Sequence, residues 1–180
     1  WKRLLKYYSF GALLDIGCLD SRIIEMIPNR GYYAGIDVAK DAIAEMNKKY
    51  PPMDVDFPLN YFRVGDAYNL NLVNGIWYVI MGEILEHLER PEDAIKEAMR
   101  ILKPGGTLAI SVPFDEAREP GAVDGHRHIH SFNEKDMRDL LGKYGRVETY
   151  VPMRFFRNLF WKPPFYRYSW PSLYAFCKKV

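Results

Sequence analysis

Between Ile76 and Val112 the chain passes through an apolar run, an amphipathic stretch and a second apolar run, and this order constrains the fold more than any other feature. Ile76–Met81 has the length and continuity of a strand buried on both faces. Pro91 suits the first position of a helix, where its missing N–H is no loss, and a helix is predicted from there to Leu102. Lys103-Pro104-Gly105-Gly106 then stops it, because proline cannot continue the hydrogen-bond ladder and glycine takes the turn. Thr107–Val112 follows as another buried strand. A helix between two strands precludes a hairpin, so the pair is parallel and the crossover right-handed.

The same alternation extends on both sides. Ala12–Gly17 reads as a strand, with Asp20 or Ser21 capping a helix to about Ile27 that Pro28 and Asn29-Arg30-Gly31 close. Tyr32–Ile36 is a second strand, Lys40–Lys49 a helix with Ala42, Ile43 and Met46 on one face, and Tyr61–Val64 a third short strand after the proline-rich loop 51–58. Asn133, with Asp136 three residues on, caps a later helix. In sheets of this kind, ligands sit at the carboxyl ends of the strands. Asp15–Ser21, Asp37–Val38, Gly65–Ala67, Met81–His87 and Ser111–Phe114 all reach that edge.

The stretches LLDIGC, GIDVA, VGDAYNL and above all GEILEHLERPEDAIKEAMRILKPGGTLAISVPF resemble successive motifs of the class I S-adenosylmethionine-dependent methyltransferases. The likeness is to the small-molecule branch that includes ubiquinone-type O-methyltransferases, and it covers about Leu13 to Phe114, more loosely to Tyr144. It implies an α/β, Rossmann-like, mostly parallel sheet of about seven strands with helices on both faces and an antiparallel last strand. One domain is expected over residues 1–180. It also implies S-adenosylmethionine as cofactor and a small-molecule acceptor. By this resemblance Asp37 receives the ribose hydroxyls, Asp66 the adenine amino group between Val38 and Ala67, and Asp15 and Gly17 hold the methionine end. Cys18, Leu19 and Met81 lie on the same edge and complete the expected cofactor site.

Elementary chemistry offers plainer roles beside these. Asp37 also suits a helix cap, and Asp66 an Asx turn in GDAYN. Leu19 and Ser21 stand where such loops carry their second and third glycines, which let backbone approach ligand and helix approach strand. Leu19 therefore either intrudes on the methionine space or tips outward from a rebuilt loop. The alternative to an enzyme is a methyltransferase-like domain with impaired cofactor binding that serves as an interaction module.

Glu83, Glu86 and His87 fall at i, i+3 and i+4, and share a face if a helix starts near Glu83. The other histidines, His126, His128 and His130, alternate in GHRHIH and share a side if extended. His87 and these three are candidates to remove a proton from a hydroxyl, since imidazole titrates near neutrality. Glu83, Glu86 and His87 are equally candidates for a divalent metal that would acidify the hydroxyl, and the pattern is similar to that of metal-assisted O-methyltransferases. A plain surface turn with acids near a helix start is the third possibility.

Charge and composition exclude some classes. Six basic residues and no acid lie in 149–180, leaving 19 basic against 23 acidic residues before them, and an acidic body disfavours nucleic acid as a partner. Residues 149–180 are expected to form an aromatic-rich lid plus the last strand, in SLYAFCKKV. The basic aromatics of 153–174 would also suit a membrane surface. No apolar run approaches the roughly 20 residues that span a bilayer. Cys18 and Cys177 have neither metal nor redox spacing, which with the lack of a leader pattern gives a cytoplasmic expectation. The oligomeric state is left open.

Overall fold

A computed structural model describes residues 8, 11–20, 23–27, 32–51, 60–115, 128–151 and 172–180. Within these, β1 (Ala12–Ile16), β2 (Tyr32–Asp37), β3 (Asn60–Val64), β4 (Ile76–Gly82), β5 (Leu102–Pro113), β6 (Gly145–Tyr150) and β7 (Ser172–Lys179) form one sheet in the order β3-β2-β1-β4-β5-β7-β6. The pairs among β3, β2, β1, β4 and β5 are parallel, and β7 runs antiparallel to both neighbours. This is the expected α/β architecture with its antiparallel last strand. The chain winds from β1 outward to β3, then returns to β4 on the other side of β1, so the reversal of strand order opens a crevice there.

Among the described residues three helices cover the sheet: α1 (Lys40–Lys49), α2 (Pro91–Ile101) and α3 (Glu134–Leu141). Ile43 and Met46 of α1 pack with Leu13, Tyr33, Phe62 and Ile80 on one face. On the other, Ala94, Ile95, Ala98 and Met99 of α2 and Met137 and Leu141 of α3 pack with Leu14, Ile16, Val79, Met81 and Ile110. Alternate strand residues thus enter opposite cores, as the two-residue period requires. Asn133 caps α3 through a reciprocal pair: its side chain accepts from the Asp136 amide at 3.1 Å, while the Asp136 carboxylate accepts from the Asn133 amide at 2.9 Å. Lys179 of β7 places its ammonium 2.6 Å from the carbonyls of both Met99 and Leu102 and so closes the negative end of α2.

Two expected boundaries differ. After β1 the described residues contain only a single 3-10 turn, Ile24–Met26, in place of a helix to Ile27. Adjacent β-branched Ile23 and Ile24 disfavour helix, and Ile27 is extended at ψ 130 because Pro28 follows it. β5 begins at Leu102, before the Lys103–Gly106 turn, which forms a bulge between the Ile76–Leu102 and Tyr78–Thr107 pairs. Gly106 lies close enough to Trp77 that a Cβ would come within 3.1 Å of its carbonyl oxygen. Of the lid expected within 149–180, residues 152–171 lie outside the described residues, as do Ser21 and His126.

Candidate active site

The turn after β1 rests on the end of β4. Gly17 has φ +75, a conformation that favours glycine, and a Cβ there would come 2.4 Å from Ile84 Cδ1 and oblige that side chain to move. The amides of Gly17 and Cys18 both donate to the Ile36 carbonyl, at 2.7 and 3.1 Å. Leu19 keeps a left-handed backbone, φ +36, at the position where a second glycine was expected. The conformation is retained at a cost of roughly 1–2 kcal/mol for a residue with a Cβ. Its amide donates to Asp37 Oδ2 at 2.9 Å, and the Ala39 amide to Oδ1 at 2.8 Å. A carboxylate offers about four acceptor directions, so two remain. Leu19 is 46% exposed and Val38 70% exposed on either side of this carboxylate. Bare apolar surface flanking a carboxylate at the crevice suits a nucleoside, with ribose on the acid and base against the aliphatic groups.

Four residues expected at the cofactor turn their side chains inward. Asp15 is buried and accepts the Tyr33 hydroxyl at 2.6 Å. Cys18 lies in the core on the α1 face, where burial and the nearby Asp15 charge push its thiol far above the ordinary range. Ala67 and Met81 lie in the core on the α2 face. For Asp15 and Met81 the reason is strand alternation, since neighbours on a strand cannot all face the open edge, whereas Cys18 and Ala67 lie in the turns after β1 and β3 and pack back onto the two cores. Asp66 is exposed and forms the Asx turn that its sequence permits, accepting the Tyr68 amide on Oδ1 at 2.8 Å. Its Oδ2 accepts no bond among the described residues.

The acid–histidine group is assembled differently from the expected helical face. Glu83 has φ +51 and precedes the 3-10 turn Leu85–His87, its amide tied to the Ser111 carbonyl at 2.8 Å. Its charge acts on Tyr174, whose phenol is pushed up first by burial and then by Glu83. His128 takes the place expected of Glu83. The imidazoles of His87 and His128 meet edge to face with centroids 4.7 Å apart, and His87 Nε2 is 3.9 Å from Oε1 of Glu86, which is 1% exposed. One ligand atom from each of Glu86, His87 and His128 lies within 4.8 Å of the others. The Glu86 carbonyl anchors the histidine segment by accepting the amides of Ile129 at 2.7 Å and His130 at 3.2 Å. His130 turns toward Phe132 and helps line a cavity of about 610 Å³ with Arg90, Pro91 and Asp136. Nothing in the sequence pattern distinguished His128 from its neighbours, nor marked Ile84 as the floor under Gly17.

A methyltransferase domain family matches residues 14–110, more than half of the 180. The chain belongs to that family. The domain is similar to a 2-heptyl-1-hydroxyquinolin-4(1H)-one methyltransferase of Mycobacteroides abscessus, 29% identical over 152 residues that cover 82% of this chain and 64% of that protein. It is also similar to the mitochondrial ubiquinone biosynthesis O-methyltransferase of Schizosaccharomyces pombe, 31% identical over 107 residues that cover 58% of this chain and 38% of that one. The chain therefore spans less than two thirds of the length of these curated relatives. The crystal structure of a SAM-dependent methyltransferase from Methanosarcina mazei shares the fold, with a TM-score of 0.73 at 18% identity, over 100% of this chain and 98% of that one. Among the described residues no helix is long and apolar enough to cross a membrane.

Proposed function

We propose that this methyltransferase domain moves a methyl group from S-adenosylmethionine to a hydroxyl oxygen of a small, partly apolar acceptor, with an imidazole of the Glu86, His87, His128 group taking the hydroxyl proton. The observation that carries this is the pairing of two imidazoles over a buried carboxylate, at the end of the strand that borders the crevice. The relative that accepts a hydroxylated quinolone with a heptyl chain supports the acceptor class.

S-adenosylmethionine, when bound, supplies a methyl group already activated on a sulfonium. The chain's own work is therefore alignment and removal of one proton. Asp37 would hold the ribose with Leu19 and Val38 flanking it, Asp66 Oδ2 would receive the adenine amino group, and the turn at Gly17 and Cys18 would lie against the methionine end. That methyl group would pass to the acceptor oxygen, the carbon–sulfur pair returning to sulfur. The acceptor's proton passes to His87 or His128, and Glu86 stabilises the imidazolium that results. Such a base contributes about 10²- to 10⁴-fold in rate.

The same three side chains also support a second mechanism. One carboxylate and two imidazoles are a donor set that suits a divalent transition metal, which would hold the acceptor oxygen and lower its pKa. The deciding experiment titrates the protein calorimetrically with S-adenosylmethionine and its demethylated product, then assays turnover of the heptyl hydroxyquinolone with and without chelator. Micromolar binding with chelator-resistant turnover that falls at least 100-fold in His87→Ala is the expected outcome. Chelator-sensitive turnover restored by added metal, with Glu86→Gln as damaging as His87→Ala, would replace the base with the metal. Calorimetric silence would leave an interaction module.

A further inference from the structure

The segment Asp66–Gly75, between β3 and β4, has a single tight turn and no helix, yet Leu70 at its centre is fully buried. Buried backbone groups need partners, and here side chains of other elements supply them. The Leu70 amide donates to Glu97 Oε1 at 3.0 Å, the Arg100 guanidinium donates to the Leu72 carbonyl at 2.8 Å, and the Arg63 guanidinium bonds the Leu70 carbonyl. Glu97 and Arg100 are joined by two bonds of 2.7 and 2.8 Å. At the other end of α2, Tyr68 accepts the Arg90 amide at 3.2 Å and lies under the Arg90 guanidinium.

An acid and a base three apart on a helix are usually a solvated pair contributing about 0.2–0.5 kcal/mol. This pair differs because the Glu97 side chain is only 14% exposed and one of its oxygens serves a backbone amide far along the chain. Bonds from Arg100 hold the Glu97 carboxyl below the ordinary carboxylate range, so it is an anionic acceptor at neutral pH. The helix that carries the clamp begins just after Glu86 and His87. The element that braces the loop bearing Asp66 thus follows directly in the chain from Glu86 and His87.

We infer that Glu97 and Arg100 are positioning residues for recognition of the adenine base, fixing the turn that presents Asp66; this rests on the cofactor site proposed above. Neither side chain touches the ligand. Loss of the clamp loosens the reading of the base and leaves the transfer step intact once cofactor saturates.

The test compares S-adenosylhomocysteine with S-inosylhomocysteine, which lacks the exocyclic amino group, by calorimetry on wild type, Glu97→Ala and Glu97→Gln, with melting followed by circular dichroism. Wild type is expected to prefer the adenosyl ligand about tenfold, a hydrogen bond to a charged acceptor being the difference. In Glu97→Ala that preference should fall below about threefold, with KM for S-adenosylmethionine raised roughly three- to tenfold and kcat within about twofold. Glu97→Gln, which keeps an acceptor for the Leu70 amide, should recover part of the preference. If Glu97→Ala does not fold, Arg100→Lys takes its place, and its preference should drop to about threefold. Equal weakening of both ligands, or an unchanged preference, would overturn the positioning role. A wild type that binds both ligands equally would overturn it too, and one that binds neither would remove the cofactor site beneath it.

Discussion

Replacing Asp37 by alanine tests the cofactor site at the residue with the most to lose. Its two oxygens already hold the amides of Leu19 and Ala39, so the carboxylate shapes the loop as well as offering acceptors to the ligand. Hydrogen bonds to a charged group contribute about 1.5–3 kcal/mol each when buried, and less at a half-exposed site such as this. Two ribose bonds at about 1 kcal/mol each, below that range because the site is half-exposed, together with a loosened loop give a loss of about 2–3 kcal/mol, or roughly 30- to 150-fold in affinity. The folded protein loses less. The Leu19 amide can turn to water, and the Ala39 amide behaves like a helix-start amide deprived of its cap, a cost of about 1 kcal/mol and about 2–4 °C in Tm. Asp37→Asn keeps an acceptor oxygen and should lose about tenfold in affinity. Calorimetric titration with S-adenosylhomocysteine, at least about 10 °C below the variant's Tm, separates binding from stability. An affinity within threefold of wild type, in a variant shown to be folded, would refute the assignment.

Leu19→Gly removes the left-handed strain, worth roughly 1–2 kcal/mol, against about 0.5–1 kcal/mol of added backbone entropy. Stability should be unchanged or slightly raised, and S-adenosylmethionine binding equal or tighter; a loss above tenfold would show that the leucine side chain is part of a rebuilt site. Lys179→Met strips two charged bonds from the end of α2 and should lower stability by about 2–3 kcal/mol in urea titrations with unchanged m. A loss under about 0.5 kcal/mol would mean that water replaces the ammonium there.

The order of strands and helices was legible because its signals are local. Apolar runs, Pro91 at a helix start, Asn133 with Asp136, and the Lys103–Gly106 turn each act within a few residues, and α1 occupies the predicted Lys40–Lys49. Gly17 was legible for the same reason, since a strand entering a tight turn demands it. β6 carried a usable alternation in Arg146-Val147-Glu148-Thr149, but one too short to stand apart from loop. Whether Asp15, Cys18, Ala67 and Met81 face the edge or the core depended on how each strand end and the turn after it pack on their neighbours, and only the assembled sheet sends them inward. The acid–histidine group shows the limit most clearly. The spacing of Glu83, Glu86 and His87 suggested a helical face, while the fold turned Glu83 aside at positive φ and brought in His128 from the segment after β5. Local sequence determines which residues can form a strand, a cap or a turn, because those choices are made by backbone sterics and periodicity over a few residues. Which side chains meet at the crevice is determined by how distant segments pack on one sheet edge, where a change of one backbone angle exchanges one side chain for another.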